Sequence, residues 1–166
     1  MITKKVGNLF ENINKLFAFV AGVLVIFTML AVVYEVVMRY FFRSPTLWTV
    51  EVSGYSLLYI TFLGAAWVLM HEGHVKIDLM TNRLKPNTQV ILNIITSILG
   101  VIIMFVIAWY SARVTWSSYH TNYLAATELQ TPLFIVFLII PIGSLLMVIQ
   151  FLRNISRLFR ELKAPQ

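Results

Sequence analysis

The sequence predicts an all-α integral membrane protein with four transmembrane helices, both termini cytoplasmic, and short amphipathic helices at the interface. Three observations carry that expectation. The 166 residues are 59% hydrophobic and only 12% charged, against about 45–50% and about 25% in ordinary soluble domains, and the mean hydropathy is +0.81. Four stretches are almost free of charge: 16–38 (Glu35 its one charge), 52–70, 90–112 and 133–152. The thirteen Lys and Arg residues cluster at alternate ends of those stretches. The same composition excludes disorder, which needs low hydrophobicity and high charge. Cysteine is absent, so disulfides, thiolate metal sites and cysteine nucleophiles are excluded.

Each charge-free stretch has the length that crosses ~30 Å of hydrocarbon at about 1.5 Å per residue. Lipid offers no partner to an open backbone N–H or C=O, so the spans must be helical. A barrel would show ~10-residue alternating segments, and none occurs. The first stretch also competes as a cleaved signal peptide, with Lys4 and Lys5 as its basic region. Its apolar run is longer than the ~7–15 residues of such a segment and no A-x-A-like site follows, so an uncleaved first helix is expected.

Residues 1–15 form an amphipathic arm. Val6, Leu9, Phe10, Ile13, Leu16 and Phe17 recur at helical spacing, while Lys4, Lys5, Glu11, Asn12 and Lys15 fall mostly elsewhere. The arm is expected to lie in the interface and run into the first span. After the second span, Ile77, Met80 and Leu84 share a helical face widened by Val75 and Leu79. Gly73 ends the span and Pro86 stops the segment, so 74–85 reads as a short helix lying on the membrane surface. The third helix is expected to continue past Ala112, with Trp109, Tyr110, Trp116, Tyr119 and Tyr123 as an aromatic belt. Pro132 opens the fourth span at a tolerated first-turn position, and Pro141 within it predicts a kink. Residues 153–166 are a basic amphipathic tail, Ile155, Leu158, Phe159 and Leu162 against Arg157, Arg160 and Lys163. Arm and tail both read as anchors on anionic lipid.

The side carrying Lys4, Lys5, Lys15, Lys76, Arg83, Lys85, Arg153, Arg157, Arg160 and Lys163 far outweighs the side carrying Arg39, Arg43 and Arg113. The positive-inside rule therefore puts both termini in the cytoplasm. The net charge of +6 is explained by that placement, and no nucleic acid partner is expected. Everything outside the membrane is a loop or short arm, giving a single membrane domain.

The chain carries little chemistry. No two of its seven glycines stand five apart, as a phosphate-cradling P-loop demands. His71 and His74 fall on one side and His120 on the other, so they cannot ligate one iron. Thr28, Ser56, Thr61, Asn93, Thr96 and Ser97 are polar but neutral; such residues more often hydrogen-bond neighbouring helices than line a pathway. Small residues (Ala18, Ala21, Gly22; Gly64, Ala65, Ala66; Ser97, Gly100) allow close helix approach, equally within this chain or to a partner. Charge gathers at the outer edge of the first two spans. Glu35 and Arg39 share a helix face, and Arg43 and Glu51 flank the turn containing Trp48. A carboxylate in hydrocarbon is costly, so Glu35 should be paired or near the interface. The group reads either as a rim clasp joining the first two helices or as a docking surface. No catalytic, cofactor or metal residue is indicated. On residues alone a scaffold or accessory subunit is favoured, with a small autonomous carrier or a subunit of another membrane complex as alternatives.

Residues 39–86 carry a further pattern: Arg39-Tyr40, Ser44-Pro45, Trp48, Glu51, Phe62-Leu63-Gly64-Ala65-Ala66, Gly73-His74-Val75-x-Ile77-Asp78 and Leu84-x-Pro86. Their order and spacing resemble the small membrane subunit, DctQ-type, of tripartite ATP-independent periplasmic (TRAP) transporters. Thr131-Pro132-Leu133 and Ile140-Pro141-Ile142-Gly143 also look familial. Thr49-Val50 departs from the family, which often has a second acidic residue before the glutamate. The resemblance implies a small inner-membrane subunit, in the unfused form, serving sodium-coupled uptake of an organic acid such as a C4-dicarboxylate or a sialic acid. Its partners would be a large multi-spanning subunit, which holds the substrate and sodium sites and moves as an elevator, and a periplasmic binding protein. It implies that Ile77, Met80 and Leu84 face lipid or the large subunit. Glu35, Arg39, Arg43, Trp48 and Glu51 would support the outer interface.

Overall fold

The structure is a computed structural model that describes residues 2–71, 86–127 and 129–163. Four helices follow one another: α1, Ile2–Phe41; α2, Leu47–His71; α3, Pro86–His120; α4, Leu133–Lys163. All four are long and apolar enough to cross a membrane. The expected surface helix at 74–85, with Ile77, Met80 and Leu84, lies outside the described residues.

The helices are longer than the charge-free runs. The apolar part of α1 covers Phe10–Phe41 and that of α3 Thr88–His120, because a helix continues past the hydrocarbon edge wherever long polar side chains reach water. The amphipathic arm is not a separate element: Ile2–Phe41 is one unbroken helix of 40 residues, about 60 Å long and twice the ~30 Å it must cross. The basic tail likewise continues α4 as far as Lys163. Pro86 is the first residue of α3, a position where its missing N–H costs nothing. Pro132 stands just before α4, and its carbonyl accepts the Ile135 N–H at 3.1 Å. The α4 helix runs on through Pro141, which has no N–H to offer the Phe137 carbonyl.

The helices form two antiparallel hairpins, α1–α2 and α3–α4, joined along a seam where α2 and α4 run parallel. The order across the molecule is α1–α2–α4–α3, a slab one helix thick with α1 and α3 as its edges. Its core is small: Ala21, Leu63 and Ile139 are buried, with Phe17, Leu58 and Phe62 packed on them. Close approach explains the placement of the small residues. A Cβ on Gly143 would stand 2.6 Å from Phe62 Cβ and 2.7 Å from its carbonyl oxygen, so α4 touches the α2 backbone there. A Cβ on Gly100 would meet the Phe151 ring, while one on Gly64 would stand 4.0 Å from Ala21 Cβ. The Phe62–Ala66 and Ile140–Gly143 elements, remote in sequence, therefore meet at one crossing. A Cβ on Gly22 would meet no atom of another helix within 4 Å. The outer helices α1 and α3 expose large apolar side chains, Phe19, Ile26, Ile103 and Phe105 among them, far beyond what water tolerates on a monomer.

Candidate partner-facing site at the loop end

The α1–α2 turn and the α3–α4 loop emerge at one end of the slab, here called the loop end. The chain leaves α1 through Arg43, whose φ is 51°, a left-handed conformation that costs a non-glycine residue about 1 kcal/mol. The turn closes when the Ser44 N–H donates to the Met38 carbonyl at 3.2 Å. Thr46 then stands at the N-cap of α2, its hydroxyl 2.7 Å from that of Thr49, which is almost fully buried. Threonine is among the residues favoured at a helix start.

Glu35 is buried, and Arg39 one turn on donates to its Oε1 from Nε at 3.0 Å and from Nη2 at 2.6 Å. Its charge is thus compensated within α1. No ion pair joins α1 to α2 at this rim among the described residues; the two helices meet there through the tilted rings of Tyr34 and Trp48, 6.1 Å apart. The clasp expected between the first two helices is therefore aromatic.

Glu51 makes a different connection. Its Oε1 accepts hydrogen bonds from the hydroxyls of Tyr55 at 2.7 Å, Thr127 at 2.6 Å and Thr131 at 3.1 Å. A carboxylate is an acceptor only, so three converging hydroxyls fit its ionised form. The glutamate ties the start of α2 to the α3–α4 loop, about 80 residues away in sequence. The loop has its own frame: Leu124 pairs with Pro132, the Ala125 N–H donates to the Thr131 carbonyl at 2.9 Å, and Asn122 and Gln130 take positive φ. Further along the seam, the Tyr59 hydroxyl donates to the Ile135 carbonyl at 2.7 Å.

Sequence spacing could have found Tyr55, one turn from Glu51; nothing local marks Thr127 as its partner. Arg39, Arg43, Trp48 and Glu51 do gather at the loop end, with Glu35 one turn below, but Glu51 serves the α2–α4 seam and the others the end of α1. The neutral polar residues of the spans behave differently from expectation. Thr28, Thr61 and Thr96 donate to carbonyls of their own helices, and Ser97 bonds across helices, accepting from Asn154 Nδ2 at 3.3 Å. His71 and His120 lie at opposite ends of the slab, His71 tilted over the Trp67 ring and His120 edge-on to Trp116.

Comparison with known proteins adds the decisive observation: the family of the DctQ component of tripartite ATP-independent periplasmic transporters matches residues 28–161. The chain belongs to the DctQ family. The small permease protein of an ectoine TRAP transporter from Halomonas elongata is 25% identical over 146 residues, covering 88% of this chain and 75% of that protein. A putative TRAP transporter small permease protein from Haemophilus influenzae is 36% identical over 73 residues, covering 44% of this chain and 45% of that protein. A sialic acid TRAP transporter permease protein, also from Haemophilus influenzae, is 25% identical over 103 residues, 62% of this chain and 17% of that protein. This DctQ chain is thus a multi-pass membrane protein and a TRAP small permease subunit, from a family of transporter components rather than of enzymes. The matched region contains the whole loop end and the α2–α4 seam.

Proposed function

We propose that this DctQ chain is the static brace of a sodium-coupled, binding-protein-dependent importer of an organic acid. It holds a large multi-spanning subunit in the membrane and offers part of the surface on which a periplasmic binding protein docks. The observation that carries the reading is the slab itself. Four helices in one layer enclose no passage, so a solute path has to be built by another chain. Glu35, the one carboxylate of the first span, is already neutralised by Arg39, which leaves no free ionisable group deep in that span to serve as a relay.

A brace needs broad membrane contact and a rigid edge. The apolar faces of α1 and α3 supply the first, and the Glu51 network with the Gly143 crossing supplies the second. The Lys/Arg distribution supports a reading with both termini in the cytoplasm and the loop end in the periplasm. Arg43, exposed there in its strained turn, is a point for an acidic partner surface. The match to only 17% of the sialic acid permease protein suits a chain that works beside a larger one. Sodium would bind the large subunit; this chain needs no cofactor.

The test is uptake into proteoliposomes under an inward sodium gradient, with this chain alone, the large subunit alone, both, and both with the binding protein. Candidate solutes are ectoine, a sialic acid and C4-dicarboxylates. Uptake in the complete set only is expected. Uptake by this chain alone would establish the rival reading, an autonomous carrier.

A further inference from the structure

The slab has two edges, and they differ. The open face of α1 is uncharged through the span, with Ile26, Leu30 and Val33 exposed, and its outer cation Arg39 already bonds Glu35. The open face of α3 is built otherwise. A cavity of about 640 Å³ lies on its outer third, walled by Trp109 and Trp116 with the small Ala112 and Ser117 beside them. A second, of about 230 Å³, runs on from Trp109 to Phe105. Together they follow one helix from Phe105 to Thr121, about 24 Å. All their lining residues belong to α3 or, for Thr121, directly follow it. Arg113 stands in this groove. A snorkelling arginine turns its head toward water. The Arg113 guanidinium instead lies over the Trp109 ring, 5.1 Å from its centre, one turn nearer the middle of the span. No acid pairs with it among the described residues. The described carboxylates of the loop end are both engaged, Glu35 by Arg39 and Glu51 by three hydroxyls. A cation at the membrane edge is costly unless paired, and the indole face compensates only part of that cost.

We propose that the α3 edge, and not the α1 edge, seats a membrane-spanning helix of the large subunit, whose carboxylate pairs with Arg113 and whose bulky aliphatic side chain fills the space between Trp109 and Trp116. This inference rests on the brace role proposed above and names the face that performs it. Charge complementarity selects the partner: the groove offers one cation and no anion, and a guanidinium fork matches a carboxylate with two parallel hydrogen bonds. Tryptophan and arginine are also the residues that interface centres gather. A groove of more than four helical turns suits a helix lying alongside. A second copy of this chain fits poorly. Its α3 edge would set arginine against arginine, and its α1 edge would offer Glu35, which is buried and already bonded. A lipid phosphate would draw the guanidinium toward His120 and the loop end, opposite to where it lies.

The test is photocrosslinking in membranes that hold the full chain and the large subunit, with benzoylphenylalanine replacing either Tyr110 on α3 or Phe19 on α1, both exposed aromatic positions. The Tyr110 adduct should map to a helix of the large subunit with an Asp or Glu within about one turn; the Phe19 position should give no protein adduct. Affinity of the chain for the large subunit in nanodiscs is the second readout. Arg113→Gln should weaken it about tenfold or more, Arg113→Lys by less than about threefold, and Trp116→Ala about tenfold. Phe19→Ala on the other edge should change nothing. Arg113→Glu should be rescued by reversing the charge of the carboxylate found in the adduct. All these positions are exposed, so each variant should melt with the parent chain. Adducts from Tyr110 to a second copy or to lipid alone, or unchanged affinity of Arg113→Gln, would overturn the inference. Tight binding of the large subunit with adducts from Phe19 in place of Tyr110 would refute this face and leave the brace role standing. No binding of the large subunit by the parent chain would refute both.

Discussion

The two ends of the slab solve the same problem in opposite ways. At the loop end each charged group within the fold finds a partner inside the chain: Glu35 takes Arg39, and Glu51 takes three hydroxyls from its own helix and the distant loop. At the terminal end arginines crowd a cavity, and Gln150 and Asn14 bury polar atoms that have no partner among the described residues. Asn14 lies one turn along α1 from Phe10, the ring beneath Arg153, so both orphans sit near the same corner. Polar atoms satisfied internally stiffen a fold. The loop end thus pairs its buried charges internally, although Ser53 Oγ there is also buried without a partner among the described residues, while the terminal end gathers its arginines around a cavity.

The heaviest blow to this arrangement falls on the seam that holds both ends in register. Gly143→Val should separate α4 from the Phe62 backbone, cost about 3 kcal/mol, and lower the melting temperature measured in detergent by several degrees. Gly100→Ala should cost less, since a Phe151 ring can turn where a backbone cannot. Next is Glu51→Ala, which frees Tyr55, Thr127 and Thr131 together. Amide exchange should quicken across 121–132 and hardly change in residues 10–25; uniform exchange across both would mean the glutamate does not organise the loop. Tyr59→Phe removes a single bond and should cost about 1 kcal/mol, read in the same melts. Smallest is Arg43→Gly, which relieves the left-handed turn and should stabilise the chain by up to about 1 kcal/mol. Arg43→Glu should leave the melt close to that of the parent but reduce uptake that depends on the binding protein. Unchanged uptake would remove Arg43 from the docking surface.

Much of this was legible in the residues. The four spans follow from runs too apolar for water and too long for a buried core helix, and the family pattern over 39–86 pointed to the DctQ group that the comparison shows. The pairing of Glu35 with Arg39 follows from a four-residue spacing on one helix, a local rule. Glu51 was legible as a residue but not as a connection. Its partners Thr127 and Thr131 are ordinary loop threonines until the chain folds, and no periodicity links positions 76 and 80 residues apart. Gln150 was invisible for the opposite reason: a glutamine near the end of an apolar run reads as a harmless interfacial residue, and its burial depends on which helices flank it.

The sequence by itself determined that the chain crosses a membrane four times in helices, because hydrocarbon demands internally bonded backbone and runs of about 20 apolar residues. It also determined the asymmetry of basic charge between the two ends. Only the tertiary structure decided that the helices lie in one layer in the order α1–α2–α4–α3, with α2 and α4 in contact. Apolar helices have no preferred neighbour in lipid, where every apolar face is equally well solvated. The choice falls to close backbone approach at small residues and to polar atoms that must be paired. Gly143 against Phe62, and Glu51 against Thr127 and Thr131, are where that choice was made.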